Sequence, residues 1–251
     1  MLDLTRVLAG PVATRFLAGY GAQVLRVDPP GWDEPGVIPE ITLGKRCTRL
    51  DLQNAADRAI FENLLKGADI LVHGYRADAM ARLGYGQAER QAISPGLIDI
   101  SLNAYGHNGP WATRRGFDSL VQLSSGIAAE GMRWRKSDTP ISLPVQALDH
   151  ATGYLLAAST VMAVTERLDG GRRLLARMSL ARTALFLGSH RSDPVEADFD
   201  DVGLSDLSPD FEETSWGAAR RVKPPSVIDG NAMQWDLPAT ALGSSAAAWT
   251  Q

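Results

Sequence analysis

A chain of 251 residues, 45% hydrophobic and 22% charged, can close one large core or one medium domain with appendages, and its formal net charge of −4 gives no general attraction to nucleic acid. Its one cysteine, Cys47, excludes an intrachain disulfide, and Met1 runs into Leu2-Asp3-Leu4 without a basic stretch and apolar leader, so a cytoplasmic location is expected. The longest apolar run, about Tyr154 to Val164, is too short to span a bilayer and is interrupted by Ser159 and Thr160, which predicts a buried helix and no membrane association.

In chain order, Leu2 to Leu4 reads as a strand, and Gly10-Pro11 opens a helix that Gly21 stops after about Tyr20. Gln23 to Val27 is a second short strand, so the chain starts with a β-α-β unit. An irregular Pro/Gly-rich loop precedes a strand at Cys47 to Leu52. A helix over Asn54 to Lys66, a strand at Asp69 to His73, helical turns at Asp78 to Leu83 and Gln87 to Ile93, and a strand at Leu97 to Leu102 continue the alternation. Phe117 to Ile127 reads as helix, Gly131 to Leu143 as loop, Arg173 to Leu180 as strand and Ala181 to Gly188 as the last helix. Alternating strands and helices predict the α/β class: a Rossmann-like open parallel sheet with flanking helices over 1–188. From 189 to 216, Asp193, Glu196, Asp198, Asp200 and further acids stand against the single Arg191, which predicts a solvated acidic linker. Residues 217–251 lack periodicity and read as an extended tail that packs back through Trp235 and Trp249.

Within this frame the stretch Leu143 to Tyr154 sets Asp149 where a Pro-containing extended segment becomes a long apolar helix. An acid there reads locally either as an ordinary N-cap or as a carboxylate kept ionised by the positive end of the helix dipole. His150 beside it does not share its helix face and reads as structural. Other chemistries lack their signatures. Gly44-Lys45-Arg46 has neither the glycine spacing nor the Ser/Thr of a P-loop, no G-x-G-x-x-G follows the first strand, Ser124-Ser125-Gly126 is not a nucleophile elbow, and His73, His107, His150 and His190 show no metal-ligand spacing.

Six short blocks taken in order carry more than any one of them: LDLTRVLAGP (2–11), Gly44-Lys45-Arg46, ADILVHGYR (68–76), PGLIDIS (95–101), GFDSLVQ (116–122) and LDHATG (148–153). This succession resembles the family III coenzyme A transferases, the group that includes formyl-CoA transferase and α-methylacyl-CoA racemase. The resemblance implies transfer of CoA between an acyl-CoA thioester and a carboxylic acid through a mixed anhydride on Asp149, with coenzyme A as part of the substrate and no metal. By correspondence with the family blocks, the CoA half of the site falls to Arg6, Val7, Leu8, Ala9, Arg26, Gly74, Tyr75, Arg76, Arg82 and Arg115, because guanidinium groups match phosphates bidentately. Gly74 stands where transferases often carry asparagine. Phe117, Gln122 and Gly153 are implied near the acyl group, Gly153 keeping the approach to the first helical turn open. Family racemases carry a proton-transferring histidine at the position of Phe117, which phenylalanine cannot replace, so the resemblance favours transfer over racemisation. It also implies a smaller second domain after about Leu187, where this chain has its acidic segment and tail. A second copy of the chain or a partner chain is therefore expected to complete the site, and a CoA-thioester-binding or scaffold protein without activity is the alternative.

Overall fold

The computed structural model describes residues 1–76, 78–171, 175–190 and 201–250. Its centre is a six-stranded, wholly parallel sheet: β1 (Leu2–Leu4), β2 (Val24–Asp28), β3 (Lys45–Arg49), β4 (Ile70–His73), β5 (Ile98–Asn103) and β6 (Leu175–Ser179), in the order β3-β2-β1-β4-β5-β6. The chain winds outward from β1 to β3 and then returns to lay β4 on the other side of β1. That reversal opens a crevice at the carboxyl ends of β1 and β4, where open α/β sheets bind ligands.

Alternate residues along each strand feed two cores. Val24, Val72, Ile98 and Ile100 pack under α1 (Ala9–Ala18), α8 (Ala147–Leu168) and α9 (Leu180–Ser189), while Leu2, Leu4, Leu25 and Leu71 pack under α3 (Ala55–Lys66). Short helices α2 (Ile38–Ile41), α4 (Ala79–Arg82) and α5 (Gln87–Ile93) fill the connections. Helix α8 buries Leu148, Thr152, Leu156, Thr160 and Ala163, a four-residue spacing that gives one face only. Val161 and Met162 on the other side are 52% and 62% exposed, so the expected buried helix is half-buried. Where α8 crosses α1, a Cβ on Gly153 would lie 2.7 Å from both the Ala9 carbonyl oxygen and Val12 Cγ1. Gly153 is thus a helix-crossing residue rather than an opening beside the site.

Three stretches differ from the sequence reading. The single helix expected over 117–127 is two, α6 (Asp118–Ser124) and α7 (Ile127–Arg135), because Gly126 takes φ +90° between them and breaks the ladder; α7 occupies what reads as loop. The strand expected at 47–52 starts two residues earlier, since Lys45 turns inward and its Nζ meets Asp3 Oδ2 at 2.9 Å and Thr14 Oγ1 at 2.6 Å. Residues 191–200 of the acidic segment lie outside the described residues. Its remainder is folded: a 3-10 turn at Leu204–Asp206 leads to the antiparallel pair β7 (Glu212–Thr214) and β8 (Gly217–Ala219). Arg221 anchors that hairpin by pairing with Glu212 and, at 3.0 Å, with Glu40. After a two-residue ladder of β9 (Val227–Ile228) and β10 (Asn231–Ala232), the tail lies along the domain. Trp235 Nε1 donates to the Arg15 carbonyl at 2.9 Å and Trp249 Nε1 to the Leu64 carbonyl at 3.1 Å.

Candidate functional site

The crevice holds a cleft of about 490 Å³ walled by the β1–α1 loop (Thr5, Arg6, Val7, Ala9), the loop after β4 (Gly74, Tyr75, Arg76), the end of β5 (Leu102, Asn103, Ala104), the segment Arg114–Phe117, Asp149 on α8 and Leu180 on α9. Asp149 is 6% exposed. It is not the N-cap: Gln146 holds that position without a side-chain cap, and Asp149 is the third residue of the helix. The first-turn donor is satisfied from elsewhere. Asp118, the first residue of α6 and itself buried, accepts the Asp149 backbone N–H on Oδ2 at 2.9 Å. Gln122 in turn donates to Asp118 Oδ1 and accepts the Leu143 N–H at 2.7 Å. Gln122 therefore braces the entry to α8 from below and is not among the lining residues.

Two buried carboxylates at one helix start oppose ionisation. Burial, and after it the charge of Asp118, push the Asp149 carboxyl from its ordinary 3.8 up to about 7. Removal from water and a like charge thus oppose the anion that a helix end on its own favours by about 1 kcal/mol. The cleft thus presents an acid that exchanges its proton near neutrality beside an apolar patch of Val7, Ala9, Phe117 and Leu180. Phe117 is 61% exposed, which removes core packing as the reason for an aromatic there.

Guanidinium groups share this cleft. Arg6, Arg76, Arg114 and Arg115 all line the cleft, and Arg114 lies 4.4 Å over the Trp111 ring. Arg6 is held more tightly, 4.4 Å from the Trp32 ring centroid, with Nη2 donating to the Tyr75 hydroxyl at 3.0 Å. Of the expected CoA-binding residues the structure brings together Arg6, Val7, Ala9, Gly74, Tyr75, Arg76 and Arg115. Leu8 is not among the lining residues. Arg26 and Arg82 are corrections. Arg26 is fully buried, with its Nε and Nη2 committed to Asp28 and Nη2 also to Glu34, so it has no path to a ligand. Arg82 is 60% exposed, pairs with Asp78 one turn earlier on α4, and stands outside the lining. Trp32, Asn103, Arg114 and Asp118 were not singled out from sequence. Asp118 sits inside the GFDSLVQ block, and only its distance of 31 residues from Asp149 hid the pairing. Among the described residues no three His, Cys, Asp or Glu side chains come together as metal ligands, and no helix is long and apolar enough to cross a membrane.

The model of CoA-transferase family III matches residues 1–192. An acyl-CoA transferase of Fusarium pseudograminearum is 28% identical over 238 residues, covering 86% of this chain and 49% of that one. An acetyl-CoA:oxalate CoA-transferase of Acetobacter aceti is 34% identical over 139 residues, 51% of this chain and 36% of that one. Among solved structures, that of Rv3272 from Mycobacterium tuberculosis superposes with a TM-score of 0.68 at 29% identity, over 75% of this chain and 55% of that one. The chain thus spans between 36% and 55% of the length of these relatives.

Proposed function

This chain belongs to CoA-transferase family III, and we propose that its cleft binds an acyl-CoA thioester and transfers CoA to a carboxylic acid with Asp149 as the nucleophile. The observation that carries the reading is the buried Asp149 carboxyl in a cleft lined by both apolar side chains and guanidinium groups. Ionised Asp149 attacks the thioester carbonyl, the C–S bond breaks, CoA leaves as the thiolate, and the acyl group is held as a mixed anhydride. Net transfer then requires the thiolate to attack the aspartyl carbonyl and expel the donor carboxylate, leaving an aspartyl-CoA thioester; the acceptor carboxylate attacks that thioester and releases the thiolate, which takes the new acyl group from the second anhydride and frees Asp149. Arg76, Arg114 and Arg115 are the groups suited to the phosphates, and Phe117 flanks the acyl carbonyl. Asp118 positions the first turn of α8 and, after burial, helps to keep Asp149 partly protonated, while the nearby guanidinium groups favour the anion that attacks.

Incubation with a panel of acyl-CoAs, quenching with hydroxylamine and peptide mass spectrometry tests this. An acyl-CoA-dependent hydroxamate on Asp149, absent from Asp149→Asn, is the expected result. Intact CoA binding without any adduct refutes transfer and leaves the second reading, a CoA-thioester-binding protein without turnover. That reading draws on the 61% exposure of Phe117, a residue that lines the cleft.

A further inference from the structure

The β1–α1 loop that faces Asp149 is strained. Val7, a β-branched residue, has φ +65°, a conformation that costs on the order of 1–3 kcal/mol and persists only where neighbours impose it. Its neighbours come from the Pro-rich loop between β2 and α2. Glu34 Oε1 accepts the Val7 N–H at 2.6 Å, and Trp32 covers the Arg6 guanidinium from the same loop. Glu34 is in turn fixed from behind: its side chain is 7% exposed, its Oε2 accepts from Arg26 Nη2 at 2.8 Å, and Arg26 is held by Asp28 at 2.7 and 2.9 Å. Each oxygen of this one carboxylate thus answers a different donor, Arg26 behind it and the strained backbone in front.

We propose that Glu34 is a positioning residue for the cleft: it clamps Val7 in its left-handed conformation and so sets the wall that faces Asp149. A buried arginine that reaches no ligand acquires a purpose here, since the Arg26–Asp28 pair fixes where the Glu34 carboxylate can stand. An amide cannot replace that carboxylate. Gln at 34 has one acceptor oxygen for two donors, and its NH2 opposes either the Arg26 guanidinium or the Val7 N–H. Glycine at position 7, by contrast, adopts φ +65° without strain and makes the clamp unnecessary. The functional readout rests on the thioester reading given above; the loop geometry does not.

The test is a cycle of Glu34→Gln in the wild-type and Val7→Gly backgrounds, reading the rate of acyl-CoA-dependent trapping on Asp149 and the acyl-CoA concentration at half-maximal rate. Displacement of a cleft wall by about 1 Å costs up to about a hundredfold in rate. Glu34→Gln is expected to slow trapping at least tenfold at saturating acyl-CoA in the wild type and less than threefold beside Val7→Gly. An equal loss in both backgrounds, or none in the wild type, overturns the proposal, because a role confined to holding Arg26 in the core would not depend on residue 7. The second measurement needs neither turnover nor a stable variant. In 15N-labelled wild-type protein the Val7 amide proton should lie far downfield and be protected from exchange, as a short bond to a carboxylate requires, and where Glu34→Gln folds the signal should move upfield. An ordinary, rapidly exchanging Val7 amide in the wild type overturns the clamp even if no acyl-CoA adduct ever forms, whereas a downfield amide without an adduct leaves the clamp standing and counts against the transferase reading alone.

Discussion

Asp149→Asn should make the protein more stable, and increasingly so as pH rises. In the folded chain the Asp149 carboxyl is held at about 7 by burial first and Asp118 second, against an ordinary 3.8. A raised carboxyl makes the folded state the better proton binder. The stability it contributes is complete below about pH 4 and is withdrawn as pH climbs through about 7. The interval of about three pH units, each worth somewhat over 1 kcal/mol, gives about 4 kcal/mol withdrawn in full, of which more than half develops between pH 5 and pH 8. Asparagine keeps the shape, removes the charge and leaves the backbone N–H on Asp118 Oδ2 untouched. Thermal unfolding of both proteins across that range should show the variant gaining about 5 to 10 °C on the wild type, as expected for a chain of this size. A pH-independent difference would refute the electrostatic account. A wild type more stable than the variant at pH 8 would show that the helix end, not burial, governs the carboxyl. Such a gain on removing a buried cleft carboxylate is the usual sign of a site that trades stability for function.

Asp118→Asn removes the lesser of the two causes. The pH at which hydroxylamine trapping on Asp149 reaches half its maximum should fall by about one unit, and an unchanged profile would show that Asp118 does not act on the Asp149 carboxyl. Arg76→Ala together with Arg115→Ala should weaken CoA binding by calorimetry at least tenfold, as loss of charge-assisted contacts requires, while Arg82→Ala should stay within about twofold. The reverse ranking would return Arg82 to the site. Gly153→Ala places a Cβ 2.7 Å from the Ala9 carbonyl oxygen and should cost about 2 kcal/mol in chemical denaturation despite alanine's better helix propensity; a neutral result would mean that α1 and α8 part easily.

The strands and helices of the sheet were readable because apolar alternation and short Gly/Pro connections repeat with little interruption up to β5. The start of α8 was equally plain, yet its chemistry was not. Asp149 reads as a cap or a dipole-stabilised anion as long as only neighbours in sequence are considered, and what opposes the anion, burial first and the Asp118 charge second, comes from packing against other elements. Arg26 misled for the same reason. An arginine near the end of a strand in a phosphate-binding fold suggests a ligand, and only folding shows Asp28 and Glu34 closing around it. Exposure misled at Arg82, where one turn of α4 supplies Asp78 as a partner. The left-handed Val7 carries no sequence mark at all, since valine is among the residues that least favour that conformation.

The docking of the tail changes what counts as the smallest self-sufficient piece of this molecule. Cβ atoms on Gly44 and Gly67 would come within 2.4 Å and 2.9 Å of the indoles of Trp235 and Trp249, so the two glycines shape receptors for side chains some two hundred positions away. Between those indoles Ala239 is fully enclosed, and Ser245 accepts the Cys47 N–H at 3.2 Å beside the outermost strand β3. A fragment ending at 192, where the family match stops, would leave two empty indole slots, bare apolar surface on α1 and α3, and an open sheet edge able to recruit foreign strands. The segment matched by the family model and the segment that packs as one fold therefore have different boundaries. Because these closing contacts join segments far apart in sequence, they belong to the slower, non-local part of folding.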